Sequence, residues 1–194
     1  MEFIDFRLPL DGFAQPLLLW GACHQRGQRV ALLLQRLFAH LNQHGPSDAT
    51  RVTAAEVRRY LGEAAPRHHA DEDLDLFPRL RRQIDARGEH IPDAGRAVEA
   101  LGVLERDHLQ LEDQWGRMQA ALAHAETAMP TAEHCAVADD FVDRFITHHE
   151  IEDQIVAPVA QRALTADDLA AIGASMAARR GTTWAALSTP MGRH

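Results

Sequence analysis

Two stretches of this chain share one grammar. His68-His69-Ala70-Asp71-Glu72-Asp73 runs on to Pro78, and His148-His149-Glu150-Ile151-Glu152-Asp153 runs on to Pro158. In each, a His pair stands first, Glu-Asp follows at the same offset, and Pro closes the segment. His68 and Glu72, like His148 and Glu152, are four residues apart. On a helix that spacing puts imidazole and carboxylate on one face, with Cβ atoms about 5–6 Å apart. Two such side chains can bind one metal ion. The doubled His leaves a second register open, because His69/Asp73 and His149/Asp153 have the same spacing. The stripe Phe141, Phe145, His148, Glu152, Ile155, Val159 is cleaner than the line through Val142 and Ile146. It selects His68 and His148 as ligands, with His69 and His149 flanking them.

The elements that must position these groups are helices. Pro16 to about Asn42 carries Leu17, Trp20, Ala31, Leu34, Phe38 and Leu41 at helical spacing and stops at His44-Gly45-Pro46. A second helix is expected from Thr53, with Glu56 completing a capping box, to Arg87-Gly88, kinked or divided at Pro66 and Pro78. A third runs from about Arg96 to His124 and a fourth from about Ala132 to Arg162, kinked at Pro158. A fifth, shorter helix starts at Thr165 and Asp168 and ends at Gly181. The expected fold is all-α, an up-down-up-down four-helix bundle with an additional short C-terminal helix. Residues 1–15 form an arm, 16–162 the bundle, and 163–194 the short helix and a mobile tail.

The first and third helices each add one His to the inward stripes. His24 extends the line of Leu17, Trp20 and Ala31. His108 lies between Leu104 and Leu111, with Glu112 one turn later. Four imidazoles and three carboxylates on bundle-facing stripes would cost several kcal/mol per charged group without partners, about the penalty for burying an unpaired ion. A metal centre supplies the partner. With N and O donors alone, iron or manganese is expected before zinc or copper. One His-x-x-x-Glu is usually a solvated surface pair; two copies in matching frames, with inward His on the other two helices, are not.

Composition removes other classes. The chain has 194 residues, 46% of them hydrophobic and 6% aromatic, with net charge −8. All 20 basic residues are Arg. The acidic balance argues against a nucleic-acid partner. Cys23 and Cys135 form no CxxC pair, so neither a disulfide scaffold nor a Cys-ligated zinc site is expected. The N-terminus lacks the features of a signal peptide, and Pro16 to Cys23 is far too short to span a bilayer. A cytoplasmic protein without a membrane partner is the expectation. A ferritin-like site needs two Glu-x-x-His motifs, and Glu105-His108 has no mate. A purely structural bundle would have to satisfy its inward His by hydrogen bonds alone. The remaining His are best read as solvated, and Cys23 as an inert thiol.

These motifs make the chain similar to the hemerythrin-like, or HHE cation-binding, family. The resemblance rests on Ala22-Cys23-His24, Ala65 to Leu80, Asp107 to Trp115, and His148 to Pro158. It implies a non-haem centre of two iron ions with an oxo or hydroxo bridge, with manganese or zinc as substitutes. Carried over, one iron takes His24 and His68, the other takes His108, Glu112 and His148, and Glu72 and Glu152 bridge them. Oxygen-carrying hemerythrins place His where Glu112 stands, and the extra carboxylate should favour the ferric state. The implied ligands are dioxygen, another diatomic or peroxide, in a carrier, sensor or store. The alternative is a redox enzyme acting on peroxide, nitric oxide or ferrous iron.

Overall fold

The computed structural model describes residues 10–182. The expected mobile tail falls almost wholly outside them. Within them the order is a short 3-10 turn Leu10–Ala14, then α1 (Pro16–His44), α2 (Asp48–Arg59), α3 (Ala65–Asp71), α4 (Phe77–Arg87), α5 (Ala94–Ala125), α6 (Ala132–Ile151), α7 (Ala157–Ala163) and α8 (Ala166–Arg179). Wide π-turns join α2 to α3 at Tyr60–Ala64, α3 to α4 at Glu72–Leu76, and α6 to α7 at Glu152–Val156. The result is four long rods, α1, α2–α4, α5 and α6–α7, with α8 as the fifth helix.

The second rod starts earlier than the Thr53–Glu56 pattern implies. Ser47 caps it, accepting from the Thr50 amide while Thr50 Oγ1 accepts from the Ser47 amide. Thr supplies the returning oxygen that Glu or Gln usually gives, so the Ser-x-x-Thr signal escapes a search for a carboxylate.

The prolines do not divide the rods. Pro66, Pro78 and Pro158 each stand one residue past a π-turn, whose closing bond spans five residues: Ala65 N–H to Tyr60, Phe77 to Glu72, and Ala157 to Glu152. A proline in a regular helix has no amide to give and presses its ring on the carbonyl four residues back. The wider turn makes room. The same turns keep the site in register. Regular helix advances about 40° for every four residues, so a strict four-residue stripe would wind off the core. His68, Glu72, Leu76, Leu80 and Ile84 stay buried at that spacing, as do His148, Glu152, Val156 and Ala160. The extra residue in each π-turn takes back the drift.

The core is split. One apolar cluster holds Trp20, Leu76, Phe77, Leu80, Leu101, Leu104 and Val156, and also takes in Phe13 and the α8 residues Ile172 and Met176. The other holds Val30, Leu34, Val57, Leu111, Met118, Phe141 and Phe145. Along every rod the His and Glu positions fall between the two. The order reverses from rod to rod, as an up-down-up-down path requires.

α8 is held to the second rod by ions at both ends. Asp168, capped by Thr165, takes hydrogen bonds from Arg82 and Gln83. Arg179 and Arg180 reach Asp71, which is fully buried, and Arg179 also bonds Asp75. Asp71 immediately precedes Glu72, so this clamp grips the turn that carries the site. Replacing both Arg179 and Arg180 with Ala is expected to cost about 3 kcal/mol, because it strands a buried carboxylate. Urea unfolding checks this. A change below about 0.5 kcal/mol would show that the clamp contributes nothing.

Candidate metal centre

The layer between the two apolar clusters contains two groups of facing ligand atoms. His24, His68, His149 and Glu152 form one, and His69, Glu72, His108 and His148 form the other, with donor atoms within 4.8 Å of one another in each. An approximate two-fold relation connects them. It exchanges His24 with His108, His68 with His148, His149 with His69, and Glu152 with Glu72. Each group draws one His from α1 or α5 and one from each His pair. Neighbouring residues on a helix diverge by about 100°, so a His pair set between two sites sends one imidazole to each.

The carboxylates lie between the groups. Glu72 Oε1 is 3.0 Å from His68 Nε2 and Oε2 is 3.3 Å from His108 Nε2. Glu152 Oε2 is 3.3 Å from His24 Nε2 and Oε1 is 3.3 Å from His148 Nε2. Each carboxylate therefore turns one oxygen to each group. His108 Nε2 and His148 Nε2 are 3.1 Å apart. Metal–nitrogen bonds of about 2.1 Å at right angles put two donors about 3.0 Å apart, so this is the separation of adjacent ligands on one ion.

Two further carboxylates orient the imidazoles from behind. His24 Nδ1 donates to Asp153 at 2.6 Å, and His108 Nδ1 donates to Asp73 at 2.8 Å. This fixes both rings with Nε2 inward, the tautomer and pose that a carboxylate behind a metal-bound His provides. Trp20 Nε1 donates to Glu72 Oε1 at 2.5 Å. Of the second register open in the sequence, Asp73 and Asp153 belong to neither group and bond His108 and His24 instead, while His69 and His149 belong to one group each.

Most inward donor atoms have no hydrogen-bond partner. His24 Nε2, both nitrogens of His68 and His149, His69 Nε2, Glu72 Oε2 and both oxygens of Glu152 are buried in this state. Protein interiors rarely tolerate even one such atom. Protonation follows the surroundings. Burial opposes charge on His24, but Asp153, Glu72 and Glu152 outweigh it and raise the imidazole to about 10. Burial likewise opposes charge on His108, and Asp73 and Glu72 raise it to about 10. Burial pushes His69 down to about 3 and His148 to about 4, and holds His68 and His149 well below the ordinary value. Burial and the neighbouring Glu72 charge raise Glu152 well above the carboxylate range. Burial also works to raise Glu72, but the imidazoles of His68, His108 and His24 hold it low.

The structure brings His24 with His68, His108 with His148, and Glu72 and Glu152 between them. It also brings in His69 and His149, which the sequence reading set aside as flanking. It does not bring in Glu112. That side chain is exposed, while Leu111 beside it is buried. His108 sits at the flank of the α5 stripe, and four more residues of regular helix turn Glu112 about 40° further round, to the surface. Cys23 is buried with its thiol pushed up to about 11 by burial.

A cavity of about 330 Å³ opens beside the second group, with His69 and His108 at its floor and Leu61, Trp115, Phe141 and Phe145 among its walls. Beside the first group, α1 packs tightly at Gly27. A Cβ on Gly27 would come within 3.0 Å of both His149 Cε1 and Phe145 Cε1.

An all-helical bundle with a paired His and carboxylate layer at mid-height is a cation-binding architecture. The sequence profile of the hemerythrin HHE cation-binding domain matches residues 19–160, and the chain belongs to that family. It is also 27% identical over 168 residues to an uncharacterised protein of Haemophilus influenzae, across 86% of this chain and 90% of that one. Among the described residues, no helix is long and apolar enough to cross a membrane. Gly27→Ala should destabilise the fold by about 1 kcal/mol, since overpacking against His149 outweighs the helix gained. Chemical denaturation checks the sign. A stabilised variant would show that His149 gives way freely.

Proposed function

We propose that the protein holds two iron ions, one in each group, and binds dioxygen or a related small oxidant or diatomic there as a carrier, sensor or store. The observation that carries this reading is the pair of buried groups sharing Glu72 and Glu152. Counting both carboxylates as shared, each ion is offered three imidazoles and two carboxylate oxygens. Structural zinc sites close with four ligands. Five donors of this type suit a six-coordinate ion such as iron or manganese and leave one position for an exogenous ligand. Glu72, Glu152, Asp73 and Asp153 together match the charge of two divalent cations.

Iron at this site would supply the electrons and the open coordination position for binding an oxidising ligand. The chain's own residues do the rest. Asp73 and Asp153 hold His108 and His24 with Nε2 inward. Trp20 fixes one oxygen of Glu72. The apolar clusters cover the layer on both sides along the bundle axis. The adjoining cavity gives small molecules a route to the second group. We assign the protein to the cytoplasm, in keeping with its unpaired thiols.

Two experiments test this reading. Anaerobic loading with ferrous iron should give two irons per chain, and admitting air should produce a visible charge-transfer band that is lost on deoxygenation. Irreversible bleaching or catalytic loss of peroxide would favour the redox-enzyme alternative. Fewer than two irons would overturn the proposal. Glu112→Gln should still load two irons, whereas His69→Leu and His149→Leu should each lose one. The pH dependence has a definite sign. In the metal-free fold the carboxylates around them raise His24 and His108 to about 10, so both imidazoles carry an extra proton at neutral pH. Loading must expel them, so at least two protons are released per chain. Apparent affinity should weaken as pH falls, by roughly tenfold per unit or more. Metal titrations at several pH values, with proton release measured in parallel, check this.

A further inference from the structure

The cavity beside the second group is too large for a diatomic ligand. Dioxygen occupies no more than about two water volumes, roughly 60 Å³, whereas the cavity measures about 330 Å³. That falls within the range of pockets for organic molecules. Its lining is specific in kind. The aromatic walls include Trp115, whose ring lies 5.9 Å from that of Phe141. Leu74 and Leu109 also line it, yet they are 67% and 69% exposed, among the most exposed large apolar side chains of the described residues. Apolar side chains on opposite rods, left in water around the same cavity, form a lip for a lipophilic guest. Asp73 and His108 in the lining are paired with each other, which leaves Glu112 as the charged group that no hydrogen bond or ion pair engages among the described residues. No Arg is in the lining. An anionic guest seated against Glu112 would meet a like charge, and a neutral guest with a hydroxyl or amine would find an acceptor there.

We propose that this cavity is the binding site for an uncharged aromatic molecule of one or two rings carrying a hydrogen-bond donor. The ring lies against Trp115 and the Leu74–Leu109 lip, the donor bonds Glu112, and the guest sits over His69 and His108. The proposal names a ligand class for the metal centre and rests on that reading for what the guest adjoins, but the cavity itself stands on geometry alone. It gives Glu112 a role outside the ligand set. It also makes the two metal positions unequal, since the cavity reaches the second group and not the first.

The test is calorimetric titration of 2-naphthol and of 2-naphthoate into the loaded protein under anaerobic conditions, with metal content measured on the same samples. The expected result is a dissociation constant for 2-naphthol on the order of 10–100 µM, within the reach of an eleven-atom ligand, and at least tenfold weaker binding of 2-naphthoate. Ala70→Phe, which fills the cavity from the α3 side, should weaken 2-naphthol at least tenfold without changing the metal content. Glu112→Ala should weaken it about threefold and narrow the gap to 2-naphthoate. Equal binding of the two probes, no binding of 2-naphthol, or binding that survives Ala70→Phe would overturn the proposal. Two metals with no 2-naphthol binding would sink this proposal alone. Fewer than two metals with selective 2-naphthol binding would sink the two-metal reading and leave the cavity site standing.

Discussion

Taking six imidazoles and two carboxylates out of water in the middle of an apolar bundle costs more than the surrounding core can absorb, unless something shares their lone pairs. Almost every local peculiarity of the chain answers to that constraint. The apolar core is broken into two clusters so that one polar layer can pass between them. Asp73 and Asp153 satisfy the outer nitrogens of two imidazoles and turn the inner ones to the layer. Trp20 occupies one oxygen of Glu72. What remains is a set of donors that neighbouring protein groups do not saturate, converging on two points. Cations resolve that conflict, and the family to which the chain belongs is defined by binding them.

The π-turns belong to the same account. A ligand rod must keep His, Glu and the apolar residues beyond them on one face for several turns, at a spacing that a regular helix cannot sustain. Inserting one residue immediately at Glu72 and at Glu152 restores the face, and the proline one residue beyond the turn fits there because the turn is already wide. Proline is thus a mark of the register correction. A helix-breaking residue in sequence becomes a phase-setting residue in structure. The third such turn, at Tyr60–Ala64, keeps Tyr60 and Ala65 buried on the approach to His68.

The rods, their direction and the inward His were legible because a 3.6-residue period and a duplicated motif are strong one-dimensional signals. The fifth helix was legible from its boundary residues, the Thr165 and Asp168 cap and the Gly181 stop. The finer ligand set was not. Choosing one His from each pair assumes one inward direction per helix, whereas a rod between two sites has two. Reading Asp73 and Asp153 as alternative ligands assumes that a carboxylate near a His competes for the metal, whereas here it stands behind the ring. Glu112 looked equivalent to Glu72 because both lie four residues after a His. The difference lies in where each His sits on its stripe, which spacing alone does not record. The start of the second rod was missed because a hydroxyl did the work expected of a carboxylate.

The two-fold relation among these side chains has a consequence for how the bundle assembles. One hairpin, α1 with the second rod, supplies a single His and then a His pair with Glu-Asp and Pro. The other, α5 with the fourth rod, supplies the same series again. Each ligand group mixes the two hairpins, so neither hairpin holds a complete site. The polar layer therefore comes together only when both hairpins dock, so closing the bundle and assembling the two groups are one event. The halves are alike without being identical: Leu76-Phe77-Pro78 stands in one and Val156-Ala157-Pro158 in the other.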